Sequence, residues 1–212
     1  MADSQSVISH LFFVSRLQIG YRPYAISHAP MNDLALFLAM RADLADYLAS
    51  DTLFWQLSGP STFPKLSLGY LLLTRARLTA ASAQLAPAQQ TEFAQADQFV
   101  TGLLAQKPVA AEKKAALELR TRVNLWAQFL DECVDDSQAC AEGYPHDVIQ
   151  RVIAALLVAE FPRVGETSEA LRLASLDARL RGLWRPGAFL WPLEYQSAFP
   201  SDDFWFLYGR LK

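Results

Sequence analysis

Apolar residues recur along this chain at intervals of three and four, the spacing that aligns them on one face of an α-helix. Residues 32–50 give the first such stretch, through Leu34, Phe37, Leu38, Leu44, Tyr47 and Leu48. Asn32 is placed to cap this helix, and Asp33 suits the positive end of its dipole. Residues 51–60 form a connector that carries Phe54-Trp55 and ends on Ser58-Gly59-Pro60, a stop signal. A second helix is expected over 63–85. Its 66–73 portion is apolar almost all round and so belongs at the centre of the fold. Pro87 opens a third helix, ending near 106, with Phe93, Ala96, Val100 and Leu103 facing inward.

Lys107-Pro108 breaks the pattern, and 109–136 then shows the most regular seam: Ala116, Leu119, Val123, Trp126, Leu130 and Cys133. Two helices joined by so short a break predict an antiparallel helical hairpin over about 89–136. Residues 137–144 read as a polar connector. Pro145 fits the first turn of a fifth helix, whose apolar 152–159 run predicts burial. Thr167 or Ser168 caps a sixth, which turns Leu173, Leu176, Leu180 and Leu183 inward until Trp184-Arg185-Pro186-Gly187 stops it.

The two ends differ from this body. Residues 6–28 are apolar and aromatic without a clean period, and 7–17 fits either helix or strand, with helix favoured. Residues 184–212 concentrate Trp184, Phe189, Trp191, Tyr195, Phe199, Phe204, Trp205, Phe206 and Tyr208 between prolines 186, 192 and 200. A short final helix capped by Ser201 fits there. The expectation is therefore an all-α single domain, 1–212, of six to seven helices. Its helical body spans 32–183, and aromatic-rich irregular segments, 1–31 and 184–212, pack on that body.

Composition agrees with a well-filled core. The chain has 212 residues, 52% hydrophobic and only 19% charged, which argues against disorder. Net charge is −3 and neither half is basic, so no nucleic-acid partner is expected. No uncharged apolar run approaches the roughly 18 residues that span a bilayer, so no membrane association is expected. The first residues lack the basic and apolar regions of a signal peptide, and a cytoplasmic location is the expectation.

Few residues suggest chemistry. No phosphate-cradling glycine loop or nucleophile elbow occurs. The acidic stretch Asp131, Glu132, Asp135, Asp136, Glu142, His146 and Asp147 lacks metal-ligand spacing and reads as a solvated helix end and loop. His10, His28 and His146 share no ligand spacing. Cys133 falls on the inner seam and reads as an inert core thiol; a bond to Cys140 would require the helix to end between them. No catalytic residue, metal or cofactor is assigned, and the reading leans away from an enzyme.

Two features stand out. Arg41, Arg77 and Arg120 lie along apolar stripes. A guanidinium facing a core must be paired or line a wet cavity, so these three are the candidates for an anionic-ligand pocket between helices. The alternative is ion pairing, with Asp43, Asp97 and Glu118 as available partners. The second feature is the aromatic tail, where Trp184, Arg185, Trp191, Phe204, Trp205 and Phe206 are the residue types that anchor interfaces. They either roof the body or meet a protein partner or a second copy. A helical interaction or regulatory protein is thus the leading expectation. A small-molecule binder or unfamiliar enzyme comes second and a metal-dependent helical enzyme third.

Overall fold

The computed structural model describes residues 30–60 and 62–212; residues 7–17, His10 and His28 lie outside them. The described chain is all-α apart from one two-stranded ribbon. Helix α1, Pro30–Ala49, starts two residues before the expected cap, so Asn32 sits exposed within the first turn. The apolar stripe of α1 buries Phe37, Met40, Leu44 and Tyr47 completely against α2, Leu68–Ala80, and α3, Pro87–Gln106. An edge-to-face contact of Phe37 with Phe93, 5.4 Å between centroids, joins α1 to α3.

Helix α2 begins later than expected. Trp55 and Leu66 exchange two backbone hydrogen bonds of 2.8–2.9 Å, which hold the chain extended until Ser67. Ser67 then caps the helix by accepting from the Tyr70 amide. Its central placement holds: every residue from Leu68 to Thr74 is buried.

Helix α4, Pro108–Asp135, follows α3 after Lys107 alone. The two arms of the expected hairpin are in place, but they meet mainly near that turn; α3 lies chiefly on α1, and α4 on the helices that come after it. The inner seam of α4 buries Leu119, Val123, Trp126, Leu130 and Cys133.

The expected connector over 137–144 is instead helix α5, Ser137–Asp147, with Pro145 inside it. The physical reason is Asp136. Its carboxylate accepts from the Ala139 amide at 3.0 Å and sits at the positive end of α5 rather than the negative end of α4. The chain reverses there, bringing the Cα atoms of Cys133 and Cys140 within 5.1 Å, and the two sulfurs are bonded. Cys133 is therefore half of a disulfide and not a free thiol. Helix α6, Ile149–Glu160, buries Val152, Ile153, Ala154 and Leu157, while Ala155, Leu156 and Val158 are half-buried and Ala159 is exposed. Thr167 caps α7, Ser168–Leu183, which turns Leu173, Leu176 and Leu180 inward.

After α7 the chain forms strand β1, Trp184–Pro186, which pairs antiparallel with β2, Gly209–Leu211. The short helix expected after Ser201 is replaced by a turn, a single 3₁₀ turn over Trp205–Leu207, and β2. The residues between the strands fold over the helical body, and Tyr195, Phe199 and Phe206 are fully buried there. Gly209 is required at this crossing. A Cβ there would collide with the Arg185 carbonyl and the Trp184 indole.

Closing the loop between Cys133 and Cys140 restricts the unfolded chain, which by loop entropy stabilises the fold by about 2–3 kcal/mol. Urea unfolding with and without reductant, together with a Cys133→Ser/Cys140→Ser variant, checks this. Reduction and the double substitution should lower stability by a similar amount and should not add.

Candidate functional site

Three groups of charged residues define the candidate sites. The first is buried at the junction of α2, α4 and α6. Glu118 and Arg122 lie one turn apart on α4, and both side chains are completely inaccessible. The Glu118 carboxylate accepts from the Ser67 hydroxyl at 2.7 Å and from the Gly69 amide at 2.8 Å. It thereby meets the amide-rich start of α2 with a negative charge. Arg122 donates to Glu118 at 2.7 and 3.0 Å and to Gln150 of α6 at 2.9 Å. The Phe54 and Tyr70 rings lie 5.5 and 5.1 Å from its guanidinium carbon. Tyr47 is held well above the usual phenol range, first by burial and then by the Glu118 charge.

The second group links α1 and α2 to the C-terminal segment. Arg77 Nε lies 3.1 Å from Asp33 Oδ2. The Tyr195 hydroxyl donates to the same oxygen at 3.2 Å and accepts from Arg77 Nη2 at 3.2 Å. The guanidinium also lies over the Tyr195 ring, 4.4 Å from its centroid. Burial raises the Asp33 pKa from 3.8 to about 6, outweighing the opposing effects of Arg77 and the Tyr195 hydrogen bond. Beside this group lies a cavity lined by Leu36, Tyr70, Leu73, Thr74, Arg77, Ile149 and Trp191, of about 10 Å³. That is roughly the space of one water molecule.

The third group is on the surface of the ribbon. Arg185 and Arg210 are directly opposed across β1 and β2 and both are exposed. Near the start of the ribbon, Trp184 and Trp205 meet edge to face, 5.1 Å between centroids. The Arg181 guanidinium lies 3.9 Å above Trp205.

The structure separates the three arginines singled out in the sequence. Arg77 is buried in an ion pair. Arg41 is exposed and lies over the Phe99 ring at 4.7 Å. Arg120 is exposed on α4. They do not converge on one pocket. Their expected partners are otherwise engaged: Asp97 pairs with Arg75, Glu118 with Arg122, and Asp43 accepts from the Ser58 amide. Arg122, missed in the sequence, is the fully buried arginine of α4. Its signal was a Glu-x-x-x-Arg pair flanking the inner seam, since Glu118 and Arg122 adjoin Leu119 and Val123.

The aromatic candidates divide by depth. Trp191, Phe204 and Phe206 are buried in the body, Trp184 and Trp205 are half-buried, and Arg185 is exposed. In the acidic stretch, Asp131 pairs with Arg179 at 2.7 Å and Asp136 caps α5. Among the described residues no group of three or more His, Cys, Asp or Glu side chains is placed to hold a metal ion. No helix among them is long and apolar enough to cross a membrane. No protein-family model matches this chain, and no curated protein or solved structure matches it.

Two predictions follow from the buried charges. Replacing Glu118 with Gln leaves Arg122 buried without its counter-charge and should cost about 3–5 kcal/mol in urea unfolding. Asp33, with its folded pKa raised to about 6, adds most stability while protonated and loses that contribution as pH rises from about 4 through 6. Wild-type stability relative to Asp33→Asn should therefore decline over that window. A flat difference would show that Asp33 ionises normally.

Proposed function

We propose that this chain is a helical interaction protein that meets a partner protein through the outer face of its C-terminal ribbon. The supporting observation is the Arg185–Arg210 pair. Like charges directly opposite on a ribbon oppose its formation. Neither arginine makes an ion pair with a carboxylate among the described residues. The fold gains nothing from two positive charges at that place, whereas a docked partner would. The adjoining Trp184 and Trp205, half-buried and braced by Arg181, supply the rigid rim that interfaces favour. A small-molecule reading fits less well, because the cavity beside Arg77 has space for about one water.

Site-specific photocrosslinking tests the reading. A photoreactive residue at Ala188 or Lys212, exposed positions that flank the ribbon and leave both arginines in place, should give a discrete adduct in an extract of the source cells. The same probe at Val134, which is 75% exposed on α4, should not. Equal labelling at all three positions would overturn the proposal.

A further inference from the structure

Resting on that reading, we infer that the ribbon face recognises an extended acidic segment of a partner protein, one that presents carboxylates at alternate residues. Directly opposed residues of an antiparallel pair have side chains on the same face, with Cα atoms about 5 Å apart. Arg185 and Arg210 therefore stand side by side, facing away from the side on which Trp184 covers Gly209. An extended segment turns every second side chain to one face, at a spacing of about 6.5 Å. Carboxylates at positions i and i+2 of such a segment match two neighbouring guanidiniums, each able to bind one carboxylate through two parallel N–H groups.

The surroundings favour a short acidic peptide over a nucleic acid. A polynucleotide needs a broad basic field, but the other cations here are engaged. Arg181 lies over Trp205, and the Lys212 ammonium donates to the Gly182 carbonyl at 2.7 Å. Glu194, Asp202 and Asp203 belong to the same terminal segment, and the chain carries a net charge of −3. Two guanidiniums with no carboxylate partner among the described residues, on a chain of net charge −3, select a local pair of charges rather than a phosphate backbone. Pairing of the partner with the outer edge of β1 is disfavoured by Pro186, which has no amide hydrogen. Recognition therefore falls to the side chains on the ribbon face.

The test uses the full chain and a fluorescein-labelled peptide with Glu at alternate positions, read by anisotropy. A Gln version of the peptide and a labelled single-stranded oligonucleotide serve as comparisons. The Glu peptide should bind, with affinity falling as salt rises. The Gln peptide, and an Arg185→Gln/Arg210→Gln variant with the Glu peptide, should each bind about tenfold more weakly or worse. That variant should unfold at the same or a higher temperature than wild type, since a like-charge pair has been removed. A charge-reversed variant, Arg185→Glu/Arg210→Glu, should bind a peptide with Lys at the alternate positions, which separates charge recognition from damage to the fold. Equal binding of the Glu peptide to wild type and the Gln variant would overturn the inference. So would tighter binding of the oligonucleotide than of the Glu peptide. If the probe at position 188 crosslinks to a partner while the Glu peptide fails to bind, docking at the ribbon stands and its acidic partner falls; if neither occurs, both fall.

Discussion

The arrangement of the helical core depends on the Glu118–Arg122 pair. An isolated buried carboxylate or guanidinium is costly, so each requires its complement in place. Glu118 meets that requirement with Arg122, with the Ser67 hydroxyl and with the first amides of α2. This ties the start of α2 to the middle of α4. Arg122 then reaches Gln150 and ties in α6. The fit is close: a Cβ at Gly69 would press on Glu118 Oε1 at 2.6 Å and on the Ile153 side chain. Apolar packing alone tolerates sliding of one helix along another. A three-helix junction fixed by directional hydrogen bonds does not, and this pair therefore sets the register of α2, α4 and α6.

The C-terminal segment is held by a different principle. It has little regular structure, so its hold on the body comes from aromatic burial and a few polar ties. The Tyr144 hydroxyl donates to the Phe206 carbonyl at 2.7 Å, and the Trp191 indole to the Pro145 carbonyl at 3.4 Å. Tyr195 reaches Asp33 and Arg77 on the first two described helices. The bidentate Arg151–Asp177 pair, at 2.8 Å, joins α6 to α7, and the Arg151 guanidinium carbon lies 4.5 Å from the centre of the Phe206 ring. Both ends of the described chain thus converge on α2. An edit to the tail such as Tyr195→Phe acts on α1 as well, through Asp33.

Much of this was legible in the sequence because period and caps are local signals. The limits of α3 and α4 follow from Pro87, Pro108 and an uninterrupted seam, and α7 starts where Thr167 can cap it. The failures are equally physical. Helix α5 was hidden because its composition is polar and its start depends on a reversal at Asp136 and on a disulfide seven residues long, neither of which has a periodic trace. The ribbon was hidden because its strands are three residues each and lie 22 residues apart, so neither carries an alternation long enough to read. Neighbouring apolar residues alone do not distinguish Arg120 from Arg122, since both lie beside the Leu119–Val123 seam. The carboxylate at Glu118, one turn away, decides which guanidinium can go inside.

That distinction also governs the candidate site. Among the described residues, a carboxylate accompanies each buried arginine: Asp33 with Arg77, Glu118 with Arg122. Half-buried Arg75 and Arg151 and exposed Arg179 are paired in the same way. Exposed Arg41, Arg120, Arg172 and Arg181 also stand without a carboxylate ion pair among the described residues, but Arg185 and Arg210 do so at facing positions. A single unpaired surface arginine needs no explanation, because water solvates it at no cost. Two opposed on the same ribbon repel one another, and the ribbon would form more easily with any neutral pair. Its strands meet because the aromatic roof beneath brings them together, with Gly209 allowing the Trp184 indole to close over the crossing. The scaffold thus supplies from its apolar interior the stability needed to hold two positive charges side by side on its surface, which is the arrangement a pair of incoming carboxylates can use.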